Sequence, residues 1–166
     1  MRVVAGAAKG IHLKTPEGML TRPTADRVKE AMFSIIQFDL PGARVLDLFG
    51  GTGQLGIEAL SRGAQSATFV DAREDACRLK RAKMENSGRV VRSDYRDYLN
   101  RCQEKYDIII LDPPYIEDFI ENSLNLISEI DILQTNGIIV TERPLDKEIP
   151  SAFAGFSRSK DYKYGK

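Results

Sequence analysis

From Ala43 onward the chain alternates between two hydrophobic periodicities. Short apolar, β-branched runs ("ARVLDL", "SATFVD", "RVVRSD", "YDIIILD" and "GIIVTE") are separated by stretches with apolar residues at helical spacing. Those stretches are "LGIEALSRG", "REDACRLKRAKMEN", a segment around Tyr95–Gln103 and another from about Glu117 to Ser128. The unbroken run Ile108, Ile109, Ile110, Leu111 suits a strand buried on both faces of a sheet. Strands alternating with helices predict βαβ units, right-handed crossovers and a mostly parallel sheet covered by helices, an α/β fold. Ahead of this core, "MRVVAGAAKGIHLKTPEG" offers two short strand-like runs around Gly6 and Gly10 and a turn at Pro16–Gly18. Thr24 is placed to cap a helix whose Val28, Met32, Ile35 and Ile36 share one face, and Leu40–Gly42 ends it. The expected organisation is one domain over residues 1–166, with a hairpin extension at 1–20 and the core at 43–166.

In a parallel sheet of this kind ligands lie beyond the carboxyl ends of the strands, and those ends are rich in chemistry. The first strand runs into "VLDLFGGTGQLGIEAL", where Gly51, Gly53 and Gly56 satisfy GxGxxG between a strand and a helix. Such a turn lets the backbone approach a ligand and offers free N–H donors at the helix start. The second strand ends at Asp71, placed to accept from ribose hydroxyls. Asp47 suits the ammonium of a methionine moiety and would repel a pyrophosphate, which tilts the reading from a dinucleotide toward S-adenosyl-L-methionine. Asp94, ending the third strand, is placed to accept from the adenine amine with the Tyr95 N–H serving the ring; it is equally placed to cap the next helix, and the two roles can coexist.

The fourth strand leaves the core through Asp112, Pro113, Pro114 and Tyr115. An aromatic amine is a poor nucleophile because its lone pair is delocalised, so an enzyme must orient it and favour a pyramidal nitrogen. Asp112 and the Pro113 carbonyl, stiffened by the prolines, are candidate acceptors. Tyr115 would supply a stacking face for the base, worth about 1–3 kcal/mol.

Charge sharpens the choice of partner. The 166 residues carry equal numbers of acids and bases, but unevenly. Residues 1–30 hold six Lys or Arg against three acids, and residues 157–166 hold four against Asp161. Basic ends around an acidic middle suit a phosphate-bearing partner. No apolar run approaches the roughly 20 residues that span a bilayer, and "MRVVAGAAKG" lacks the apolar stretch of a secretory signal; a cytoplasmic protein is expected. Cys77 and Cys102, both expected inside helices, and the single His12 form neither a disulfide framework nor a metal-ligand pattern, so no metal is expected.

The stretches "LDLFGGTGQLGIEALSRGA", "FVD" and "DPPY" resemble the amino-methyltransferases of the class I, Rossmann-like fold. With "TRPTADRVKEAMFSII" and the N-terminal "MRVVAGAAKGIHLKTP", the chain resembles the RsmD family of bacterial 16S ribosomal RNA guanine-N2 methyltransferases, from the first residue to about Gly165. The resemblance implies donor binding by Asp47, Phe49, Gly51, Gly53, Asp71, Ala72, Asp94 and Tyr95, and an acceptor amine at Asp112, Pro113, Pro114 and Tyr115. It implies that Arg22, Thr24 and Arg27 lie near the cofactor or the RNA, and that the partner is 16S rRNA or a 30S particle, with a monomer favoured. The final "YKYGK" resembles the start of the family's last strand, and "MENSGRVV" is shorter than the interval expected there. Two other readings share these motifs: a DNA or RNA adenine-N6 methyltransferase, through Asp-Pro-Pro-Tyr, and an NAD-binding oxidoreductase, through GxGxxG alone.

Overall fold

The computed structural model describes residues 2–13, 26–73, 84–114, 118–144 and 147–164. In chain order these form α1 (Asp26–Ile35), β1 (Arg44–Asp47), α2 (Gln54–Ser61), β2 (Ser66–Asp71), β3 (Gly88–Arg92), α3 (Tyr95–Arg101), β4 (Tyr106–Leu111), α4 (Phe119–Ile130) and β5 (Leu133–Thr141). A short antiparallel pair, β6 (Ala152–Phe153) and β7 (Phe156–Ser157), follows. The sheet has the order β3-β2-β1-β4-β5 and every neighbour is parallel. The chain steps outward from β1 to β3 on one side, then returns to add β4 and β5 on the other. The crevice at this reversal, beside the end of β1, is where such sheets take ligands.

The alternation of β4 explains its apolar run. Ile108 and Ile110 enter one core with Val45, Phe69, Phe33 of α1 and Ile57 of α2. Ile109 and Leu111 enter the opposite core with Leu46, Val70, Leu99 of α3 and Leu124 and Ile127 of α4. Each of these side chains, fully buried, contributes roughly 1.5–3 kcal/mol. Helices on both faces leave β4 no solvent side, so the sequence cannot alternate.

Most strands fall where the pattern puts them, and two regions differ. The fifth strand starts at Leu133 rather than Gly137. It carries a wide irregularity, a two-residue step in β4 (Tyr106 to Ile108) standing against a five-residue step in β5 (Leu133 to Ile138). Asn136 takes φ 62° there, and a Cβ on Gly137 would meet Leu133 Cδ1 at 2.7 Å; the bulge needs both residues. The N-terminal extension is a turn rather than two strands: Arg2 and His12 form a single antiparallel bridge, and Val3 and Leu13 anchor it in the core. The residues expected to form its Pro16–Gly18 turn, the Thr24 cap and the helix carrying Cys77 lie outside the described residues. Cys102, expected inside a helix, is the C-cap of α3.

This extension is held by buried polar chemistry. Glu58 of α2 has no solvent exposure and accepts from the Val4 N–H at 2.8 Å, the Ala5 N–H at 3.0 Å and Arg62 Nε at 2.8 Å. Lys29 of α1, equally buried, donates to the Arg2 carbonyl and stands 3.9 Å from Glu58 and 3.7 Å from Asp26. Burial pulls the Lys29 ammonium below its ordinary pKa, and the two acids oppose that shift. The Ala7 and Ala8 N–H groups bond Ser61, and Gly6 lies so close that a Cβ would sit 1.7 Å from the Ser61 carbonyl oxygen. The extension thus buries its backbone donors against one end of α2, whose other end opens the Gly-rich turn.

Candidate active site

Strand ends bring the expected acids to one rim. Asp47 ends β1 between β2 and β4, Asp71 ends β2 and Asp94 follows β3. Asp112 follows β4 directly. The Gly-rich turn crosses the same rim. Gly50 N donates to the Val70 carbonyl at 2.9 Å, and Gly53 N to the Gly50 carbonyl at 2.6 Å. Gly51 and Gly53 adopt φ of 50° and 80°, a region costly for other residues. Gly56 serves packing: a Cβ there would reach Phe69 Cε1 at 2.3 Å, so the third glycine lets α2 press against β2.

Asp47 is the least solvated acid of the rim, 1% exposed. Its Oδ2 accepts from the Gly56 N–H at 3.0 Å, tying the strand end to α2, while Oδ1 is buried with no hydrogen-bond partner among the described residues. Burial pushes its carboxyl up to about 7; the Gly56 N–H opposes this, and the charges of Asp112 and Asp71 add to it. A buried carboxylate oxygen lacking a donor suits an ammonium group, or a water held by one.

Asp71 is fully engaged. Oδ2 accepts from the Gly51 N–H at 2.8 Å, and Oδ1 from the Arg73 N–H at 2.9 Å and Arg73 Nε at 3.1 Å. Ala72, beside it, is exposed. Asp94 is the N-cap of α3, accepting from the Arg96 N–H at 2.8 Å through Oδ1; this is the capping role foreseen for it, and its exposed position leaves the second role open. Tyr95 is buried and packs against two other rings, Phe49 at 5.2 Å and Phe119 at 5.5 Å between centroids. The three rings join the ends of β1 and β3 to the start of α4. Arg96 lies over Tyr95, 5.3 Å from the ring centre, and bonds its hydroxyl.

On the other side of Asp47, Asp112 is half-buried, Pro113 buried and Pro114 exposed. Arg27 is exposed in the first turn of α1. Tyr115, Arg22 and Thr24 lie outside the described residues. Phe119 and Arg73 are not among the residues the sequence pattern singles out. Phe119 reads as the first apolar position of a helix, and Arg73 as a solvated charge; only the fold shows what each touches. Among the described residues no group of three or more His, Cys, Asp or Glu is arranged to hold a metal, and no helix is long and apolar enough to cross a membrane.

A family model described as Conserved hypothetical protein 95 matches residues 1–166. The chain belongs to that family. Relatives of this Conserved hypothetical protein 95 chain include the "Putative rRNA methyltransferase YlbH" of Bacillus subtilis, 38% identical over 99% of this chain and 94% of that protein. The "Ribosomal RNA small subunit methyltransferase D" of Escherichia coli is 31% identical over 95% of this chain and 81% of that one. Among solved structures, the putative methyltransferase yhhF from Escherichia coli matches with a TM-score of 0.79 and 29% identity, covering 90% of this chain and 84% of that one. A more distant match, SMU.776, is a putative methyltransferase complexed with SAH (TM-score 0.56, 26% identity, 77% of this chain and 40% of that one). The family and its fold agree with the resemblance to the RsmD family carried by the Gly-rich turn, the Asp-Pro-Pro-Tyr stretch and the "TRPTADR" segment.

Proposed function

We propose that this chain transfers a methyl group from S-adenosyl-L-methionine to the exocyclic N2 amine of a guanine in 16S ribosomal RNA, in the cytoplasm. The single observation that carries the donor half is Asp47: a buried carboxylate oxygen with no partner, at the strand-order reversal and beside a glycine turn. That arrangement suits a cationic amino-acid moiety, and with Asp71 and Asp112 nearby it disfavours a pyrophosphate. The names of the relatives, both ribosomal RNA methyltransferases, support the acceptor, as do the basic chain ends. The acceptor is free rRNA or a 30S particle.

The donor supplies an electrophilic methyl on a sulfonium. Asp47 holds the ammonium end, the Gly51–Gly53 turn lies against the ligand without Cβ atoms, and Asp71 takes the ribose hydroxyls. Asp94 and the Tyr95 N–H serve the adenine, with Phe49 and Ala72 lining the same edge. Asp112 and the Pro113 carbonyl accept from the guanine amine. As the nitrogen bonds to the methyl carbon, that carbon's bond to sulfur would break and release S-adenosylhomocysteine; the Asp112 carboxylate would stabilise the positive charge on the nitrogen until its proton passes to solvent. Pro113 and Pro114 fix the backbone that presents both acceptors, and Tyr115 stacks on the base.

The test is incorporation of labelled methyl into 30S particles lacking the modification, with the base identified by mass spectrometry. Label at one guanine N2 is expected; label on adenine, or on no RNA, would refute the assignment. Asp112→Ala is expected to lower the rate by about 10²–10³-fold while S-adenosylhomocysteine binding stays within a few-fold of the parent.

A further inference from the structure

The carboxylate assigned to the donor's ribose is already held by the protein's own arginine. Arg73 Nε stands 3.1 Å from Asp71 Oδ1 and Arg73 Nη2 3.4 Å from Oδ2. With the N–H groups of Gly51 and Arg73, both carboxylate oxygens have two donors each. The guanidinium also leans over the glycine turn: a Cβ on Gly51 would lie 3.4 Å from Nη2. The Asp71 side chain is 13% exposed and that of Arg73 42%, so the acid is sheltered while its cover faces solvent.

We infer that Arg73 is a removable stand-in for the ribose diol, and that its displacement sets the protein's affinity for the methyl donor. The fit is chemical. The side chain presents two N–H donors, one to each oxygen, as a vicinal diol presents two O–H donors. The Gly51 and Arg73 backbone bonds to Asp71 need not break in the exchange. Arg73 has an exposed route outward, whereas the turn beneath it is fixed to β2 by the Gly50 N–H bond to the Val70 carbonyl. In the absence of donor the guanidinium gives each carboxylate oxygen a second donor beside its backbone N–H and gives the sheltered acid a countercharge. With donor present, the ion pair is the contact given up. This inference rests on the assignment of Asp71 to the ribose.

The experiment is calorimetric titration of S-adenosylhomocysteine, chosen because it lacks the sulfonium charge, into parent, Arg73→Ala, Arg73→Gln and Asp71→Asn. A partly exposed ion pair of this kind is worth a few tenths to about one kcal/mol, so its removal should tighten binding by about 2- to 5-fold in both Arg73 variants. The advantage should close at about 1 M salt, where the screening length falls to about 3 Å and the parent's own pair is weakened. Arg73→Gln keeps most of the aliphatic stem while removing the charge, so a gain shared by both variants points to the lost ion pair rather than to packing. Unchanged or weaker binding in both Arg73 variants, with Asp71→Asn clearly impaired, overturns the stand-in role alone. Asp71→Asn binding as tightly as the parent overturns the ribose assignment, and the inference falls with it.

Discussion

Asp47, at the end of β1 ahead of α2, and Glu58, on α2 itself, are both withdrawn from solvent at 1% and 0% exposure, yet they are built differently. Glu58 is surrounded by donors: two backbone N–H groups, the Arg62 guanidinium and the Lys29 ammonium nearby. Asp47 has one N–H on one oxygen and, among the described residues, no partner on the other. Burial is common to both, so burial alone does not mark a site. What separates them is whether the fold supplies partners. The fold closes the Glu58 end of α2 around the N-terminal extension and leaves the Asp47 end with a buried acceptor, which is where a ligand has something to add.

The largest effect that tests this contrast comes at the closed end. Glu58→Ala removes the acceptor for Val4 and Ala5 and leaves Lys29 buried without its acidic partner on α2; removing one member of such a group costs about 3–5 kcal/mol. Urea unfolding should show that loss, and a loss under about 1 kcal/mol would mean the extension is held by its apolar contacts instead.

Next comes the pH dependence of the open end. The Asp47 carboxyl, ordinarily at 3.8, is raised to about 7 in the native state, chiefly by burial. Between those values the native protein holds a proton that the unfolded chain has released. Stability from this group is therefore greatest at low pH, falls as pH rises from about 4 to about 7, and is flat above. The full range is bounded by about 4 kcal/mol, the shift converted at 1.36 kcal/mol per unit. Urea midpoints measured across pH 4–8 should fall for the parent more than for Asp47→Asn, which has no proton to lose there. Equal slopes would place the Asp47 titration elsewhere.

Third, Asp47→Asn should separate folding from binding. An amide oxygen can still accept from the Gly56 N–H, so above pH 7 the variant should be at least as stable as the parent. Without a carboxylate for the donor's ammonium, S-adenosylhomocysteine affinity should drop by about 10- to 100-fold, the loss of one charge-assisted hydrogen bond at about 1.5–3 kcal/mol. Calorimetry on the folded variant checks this. Affinity kept within two-fold would move the ammonium away from Asp47.

The same pair of acids marks how far the sequence could be read. Asp47 was legible: it ends an apolar strand just ahead of a glycine turn, and strand ends in this topology face ligands. So were Asp71, Asp112 and the parallel sheet itself, because two-sided burial leaves an unbroken apolar run such as Ile108–Leu111. Glu58 was not. In "LGIEAL" it reads as the polar side of an ordinary surface helix, and its partners Val4 and Ala5 lie more than fifty residues away in the chain. The Phe49–Tyr95–Phe119 ring cluster was hidden for the same reason, whereas the Arg73 contact, only two residues from Asp71, was hidden because a sequence pattern does not fix which way an exposed side chain turns. Local pattern reports which element a residue joins; it does not report which distant group arrives to complete it. The β5 bulge is an intermediate case: Asn136–Gly137 reads as a turn signal, but that a strand continues on both sides of it depends on pairing with β4.

The long span between the extension and its anchor also has a consequence in time. Val4 and Ala5 are synthesised 54 and 53 residues ahead of Glu58, their acceptor. At synthesis rates of about 5–20 residues per second, the two N–H groups wait about 3–10 s for their acceptor. Docking of the extension therefore waits until α2 exists. In refolding from urea, where the whole chain is present, the 53- and 54-residue separations make this contact costly to close early, so Glu58→Ala should speed unfolding far more than it slows folding.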